Sequence, residues 1–91
     1  KTALFIGHIG ENAERFAEKL VYDLRKKGIS AETELLDRSV KAQMKYADKI
    51  GARYSVIIGD DEISGGVLKL KNMQTGETKN VSADEIDKEI V

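Results

Sequence analysis

Apolar residues along this chain fall into short blocks whose period changes from one block to the next. Ala3-Leu4-Phe5-Ile6 is a continuous apolar run closed by Gly7, the mark of a strand buried on both faces. Ala13, Phe16, Ala17, Leu20, Val21 and Leu24 then recur at helical spacing and form one stripe of an amphipathic helix. Arg25, Lys26 and Lys27 suit its last turn, where the helix dipole favours cations, and Gly28 is a natural stop. Residues 29–35 alternate loosely and read as a second strand near a sheet edge, with Glu32 and Glu34 on one face. Residues 37–52 read as a second helix ended by Gly51, and Tyr54–Ile58 as a third strand closed by Gly59.

The order strand, helix, strand, helix, strand with short links favours parallel strands joined by right-handed crossovers. After Gly59 the rhythm changes. Val67–Lys71 and Thr78–Val81, separated by residues 72–77, read as an appended hairpin. Ser82 opens a last helix, in which Ser82 and Glu85 fit a capping box and Val81 and Ile86 a hydrophobic staple. Asp60-Asp61-Glu62 lacks the alternate ligand spacing of a calcium loop and reads as a charged turn between strands.

Composition narrows the function classes. Ninety-one residues, 41% hydrophobic and 34% charged, fit one small α/β domain covering 1–91. The absence of cysteine excludes disulfides and thiolate metal sites, and one histidine cannot build a His-cluster site. No apolar run approaches the roughly 20 residues of a membrane span, and nothing resembles a signal peptide. The expected location is therefore the cytoplasm, with no membrane partner. A start at Lys1 directly before an apolar run is the look of a domain cut from a longer protein, and equally of a processed terminus.

The net charge of −1 conceals a segregation. Residues 38–53 carry five bases against one acid, whereas residues 60–91 carry four bases against eight acids. On the second helix, Arg38, Lys41, Lys45 and Lys49 form a single column with no acid within it, and Val40, Met44 and Ala47 lie opposite, where a core belongs. Charged helix faces are commonly just solvated. This one, however, starts at a helix N-terminus, where free N–H groups add to the positive field, and it can meet a phosphate backbone. Tyr46, on its flank, suits either base stacking or the core.

The loop Gly7-His8-Ile9-Gly10-Glu11-Asn12 joins a strand to a helix, a common ligand position, but it matches neither G-x-G-x-x-G nor the P-loop. Its glycines suit unusual backbone angles, and Glu11 could contact an RNA base. His8 has no nucleophile partner and reads as structural or solvent-exposed.

Leu36–Ala47, Gly51–Tyr54 and Val56–Glu62 together resemble the carboxyl-terminal anticodon-binding domain of bacterial histidyl-tRNA synthetases, members of class II. Val67–Met73 and Thr75–Glu77 are similar to that family's final hairpin. The run R-S-x-K-x-Q-x-K-x-A is its most specific part.

The resemblance implies a three-layer α/β/α fold: a mixed five-stranded sheet of order 2-1-3-4-5, strand 4 antiparallel, with three helices. It implies RNA binding without catalysis in this chain, and no cofactor or metal. The partner would be the anticodon stem-loop of histidine tRNA. The catalytic domain of the parent chain, a homodimeric histidine–tRNA ligase, would use ATP and Mg. The implied contacts are Gly7, Gly10 and Glu11 in the first loop, then Arg38, Ser39, Lys41, Gln43 and Lys45. Arg38 and Lys41 would meet phosphates or base edges, Gln43 a base edge (or else the core), and Lys45 the backbone. The alternatives are a small nucleotide-binding or enzymatic α/β domain, a protein-interaction module, and a synthetase paralogue without aminoacylation.

Overall fold

The computed structural model describes residues 1–90. Its centre is β1 (Leu4–His8), buried along its whole length because both faces are covered. It pairs in parallel with β2 (Ala31–Thr33) on one side and β3 (Tyr54–Ile58) on the other, Leu4 lying opposite both Ala31 and Tyr54. β4 (Val67–Asn72) runs antiparallel to β3, and β5 (Thr78–Ser82) antiparallel to β4, which completes the expected order 2-1-3-4-5.

The two faces of the sheet are unequally covered. Leu4, Ile6, Val56, Ile58, Leu68 and Leu70 point to one side, into a continuous apolar core. There α1 (Glu11–Lys26) buries Ala13, Ala17, Val21 and Leu24. α4 (Ile86–Ile90) adds Ile86 and Ile90 to the same core, beside Val81. On the other side α2 (Val40–Lys49) alone packs over β1, where Phe5, Ala47 and Ala52 form a small second cluster with Tyr46, Ile50 and Met73. Beyond β3 no helix of the described residues covers this second face, and Lys69, Lys71 and Thr78 border it instead.

Three local details differ from the sequence reading. Residues 60–62, expected as a charged turn, begin a short helix, α3 (Asp60–Gly65). The Glu62 carboxylate accepts the Gly59 N–H at 2.7 Å and caps its start, and the three acids lie at the positive end of the helix. α2 is shorter than 37–52. Ser39 is its N-cap, so Arg38 lies before the helix rather than in its column. Finally, the Ser82 hydroxyl accepts the Asp84 N–H rather than that of Glu85, because a tight 3-10 turn (Ala83–Glu85) precedes α4.

The end of α2 is formed as the sequence suggests. Gly51 takes a φ of 69°, and the Ala52 N–H reaches back to the Ala47 carbonyl at 3.1 Å. Gly7 answers a different demand. A Cβ built there would lie 2.5 Å from both Gln43 Oε1 and Ile57 Cδ1, so α2 approaches β1 this closely only over a glycine. Gly7→Ala is therefore expected to lower stability by about 2 kcal/mol through overpacking. A urea-denaturation midpoint unchanged from the parent would contradict this account of the close approach.

Candidate nucleic-acid interface

The carboxyl ends of the three parallel strands bring together the segments that hold most of the expected contacts. β1 leads into Ile9 and Gly10, and β2 leads through residues 34–39 to the start of α2. Gln43, on the first turn of α2, joins the two. Its Oε1 accepts the His8 backbone N–H at 2.8 Å, while its Nε2 donates to the carbonyls of His8 (2.9 Å) and Arg38 (2.8 Å). It is 0% exposed. Gln43 was expected to reach a base edge. It is instead a buried bridge that fixes α2 to β1, since each polar atom of its amide already has a backbone partner. Gly7 is buried beneath it, close to the amide oxygen.

A second correction concerns Arg38, expected as an unpaired cation. Its Nε and Nη2 donate to the two carboxylate oxygens of Glu34 at 2.6 and 2.7 Å. The Glu34 side chain is wholly buried, whereas 36% of the Arg38 side chain remains exposed. Burial of an unpaired carboxylate is costly, so Glu34 depends on this bidentate partner. The Arg38 guanidinium holds the Glu34 carboxyl below the usual range, against the opposing effect of burial. Tyr46 lies under the guanidinium, 5.2 Å from ring centre to guanidinium carbon, and packs in turn on Phe5 with ring centres 5.7 Å apart. Next to this pair, His8 Nε2 lies 2.9 Å from the Glu34 carbonyl and donates to it, so His8 is structural.

The remaining cations behave as expected of a free surface. Lys41, Lys45 and Lys49 are exposed along the crest of α2 and form no ion pair among the described residues. Ser39 caps the helix by accepting the Ala42 N–H at 3.2 Å. Gly10, with a φ of 94°, and Glu11 are exposed at the start of α1. Val40 and Met44, expected in the core, turn away from it. Gln43 and Ala47 occupy the buried stripe, and Val40 is 39% exposed.

Val40 and Met44 form one wall of a groove of about 350 Å³. Ser55, Val56 and Ile57 make its floor, Ile9 and Glu62 close one end, and Lys69, Lys71 and Thr78 stand opposite α2. The sequence reading missed Ile9, Glu62, Lys69 and Lys71. A usable signal existed in β4, where the two lysines alternate with buried Leu68 and Leu70 and so must share the other sheet face. Among the described residues no group of three or more His, Asp or Glu is arranged to hold a metal ion, and no helix is long and apolar enough to cross a membrane.

A basic crest without ion pairs among the described residues thus lies beside an apolar-floored groove on a 2-1-3-4-5 sheet. The chain belongs to the anticodon binding domain family, whose model matches residues 4–91. Within that family its sequence is similar to the histidine–tRNA ligase of Acetivibrio thermocellus, at 58% identity over 84 residues. It is likewise similar to the histidine–tRNA ligase of Clostridium perfringens, at 53% over 81 residues. These matches cover 92% and 89% of this chain, yet 20% of each ligase, so the chain spans about a fifth of their length. The apo Staphylococcus aureus histidyl-tRNA synthetase contains the same fold at a TM-score of 0.95 and 39% identity, over 99% of this chain and 23% of that one.

The Glu34–Arg38 pair has a pH signature. Because the folded carboxyl titrates below its unfolded value of about 4.3, the pair's stabilisation is complete above that value. It is lost as pH falls through the lowered folded value. Urea denaturation across this acid range is expected to show the loss in the parent and a shallower dependence in Glu34→Gln. Parallel acid limbs would remove Glu34 as a source of the effect.

Proposed function

We propose that this chain holds the anticodon stem-loop of histidine tRNA, as the RNA-binding part of a longer, cytoplasmic histidyl-tRNA synthetase. The observation that carries this reading is the crest of Lys41, Lys45 and Lys49, unpaired among the described residues and adjoining a groove with an apolar floor. Lys41 and Lys45 would neutralise backbone phosphates, together with Lys69 and Lys71 across the groove. Ser39, Gly10 and Glu11 would line the approach to the loop bases. Unpaired bases need both a surface on which to lie and polar groups at their edges. The groove offers Ile9, Val40, Met44 and Ile57 for the first and Glu62 and Thr78 for the second.

In the parent synthetase, a homodimer in this reading, the remaining four fifths would join histidine to the tRNA with ATP and Mg. This chain would supply grip and anticodon choice. Gly7 and Gln43 have a different role here from the one first expected. They set the position of the α2 N-terminus rather than touch RNA.

The test is titration of the chain with a histidine tRNA anticodon stem-loop at several salt concentrations. Removing one lysine–phosphate pairing lowers the slope of log affinity against log salt by about 0.7 to 0.9. The double variant Lys41→Ala/Lys45→Ala is thus expected to reduce that slope by about 1.5 and to bind more weakly at every salt concentration. A stem-loop with an altered anticodon should bind less tightly to the parent chain. Affinity indifferent to both the lysines and the anticodon would overturn the proposal.

A further inference from the structure

Arg38 stands where an RNA ligand was expected, but its chemistry there is not that of a phosphate ligand. Two of its donor groups are committed to Glu34, which also cancels its charge at a distance of 2.6 Å. What remains is geometry. A guanidinium is planar, and here two contacts hold it. Glu34 holds the Nε–Nη2 edge at both carboxylate oxygens, and the guanidinium carbon sits over the Tyr46 ring, 5.2 Å from its centre. Tyr46 in turn packs on the fully buried Phe5, with ring centres 5.7 Å apart. The 36% of the side chain still exposed borders an open groove of about 790 Å³ that Leu35 and Leu36 also line.

We propose that Arg38 is a stacking shelf for one unpaired base of the bound RNA, and that Glu34 is the positioning residue that holds the shelf flat. The inference rests on the RNA-binding reading and names a part of it. Guanidinium planes stack on unstacked RNA bases as aromatic rings do. A free arginine must first lose its rotamer freedom to stack, whereas one already pinned by a carboxylate and a ring has lost it on folding. This gives a purpose to a buried carboxylate at the mouth of an RNA site, where its charge would otherwise only repel phosphate. Cancelling the charge leaves the shelf selective for a base face over the backbone.

The phosphate and stacking roles predict opposite signs for one substitution. Glu34→Gln removes the masking charge at nearly constant shape. If Arg38 binds phosphate, this variant binds the stem-loop more tightly and with a steeper salt slope. If Arg38 is a shelf, the variant binds more weakly with an unchanged slope, because the plane is no longer pinned. Arg38→Lys keeps the charge without the plane, so the shelf predicts a loss matching that of Arg38→Ala, about tenfold, again at unchanged slope.

A stem-loop series carrying 2-aminopurine at successive loop positions supplies the spectroscopic readout. One position is expected to be quenched on binding the parent chain and not on binding Arg38→Lys. Circular dichroism confirms folding of each variant; should Glu34→Gln unfold, the two Arg38 variants decide the matter, and should these unfold with Glu34 left buried and unpaired, the double variant Glu34→Gln/Arg38→Ala replaces them, with the same loss expected at unchanged slope. Rescue by Arg38→Lys, or a slope lowered by about 0.7 to 0.9 in Arg38→Ala, would overturn the shelf while leaving RNA binding intact. Failure of the parent chain to bind the stem-loop at all would overturn the underlying reading, and the shelf with it.

Discussion

Everything at the candidate interface depends on how one buried amide is shared. Gln43 satisfies the His8 N–H and C=O, where β1 ends and its ladder partners run out, and the Arg38 carbonyl just before α2 begins. An apolar side chain in its place would take this partner from the buried His8 N–H and C=O, each costing about 1–3 kcal/mol if left unpaired, and from the part-buried Arg38 carbonyl. The bridge also needs Gly7, because any larger residue would collide with the amide oxygen. Thus two residues that look like ligand contacts in sequence act one step behind the surface. They settle where the N-terminus of α2 sits relative to the first loop, and so how far the lysine crest lies from Gly10 and Glu11.

The unequal covering of the sheet follows from helix supply. α1, α3 and α4 accompany the large core that contains Leu4, Ile6, Val56, Ile58, Leu68 and Leu70. α2 alone serves the opposite face and reaches no further than β3. The strand positions left over therefore carry side chains that tolerate water, Lys69, Lys71 and Thr78, around an apolar floor already present at Ile57. A groove with an apolar wall on α2 and lysines on β4 is what remains when a five-stranded sheet is given one helix too few on one side. The main core and the groove lie on opposite faces of the sheet and meet at Val56, which belongs to both.

The sequence was most legible where periodicity is long and a single face decides. The α1 stripe at Ala13, Ala17, Val21 and Leu24, the continuous β1 run and the β4–β5 hairpin all follow from spacing alone. Legibility failed where a polar side chain satisfies a distant backbone group. Helical spacing puts Gln43 beside Ala47, on the flank away from Met44, yet hydropathy assigns the core to Val40 and Met44, and no count of apolar residues predicts that an amide would be the better occupant. Likewise, Glu34 and Arg38 are four apart but not in one helix, so i,i+4 reasoning applied to the basic column could not find their pairing. α3 was hidden by length, since six residues carry less than two turns of pattern.

The misreading of Arg38 bears on how the proposed interface would read RNA. A surface cation is valued in sequence by its charge, whereas in the fold its value depends on what its donors already bind. Lys41 and Lys45 keep their charge available and suit the sequence-blind part of recognition, which acts through phosphate and is weakened by salt. Arg38 has committed its charge to Glu34 and retains only shape and orientation, which suit contact with a particular base. The division follows from the chemistry of the two side chains. A lysine ammonium is a mobile point charge, and a guanidinium can be both neutralised and held in a plane. An interface needing both grip and choice gains by separating them along α2, with the lysines on its crest and the pinned arginine just before its cap.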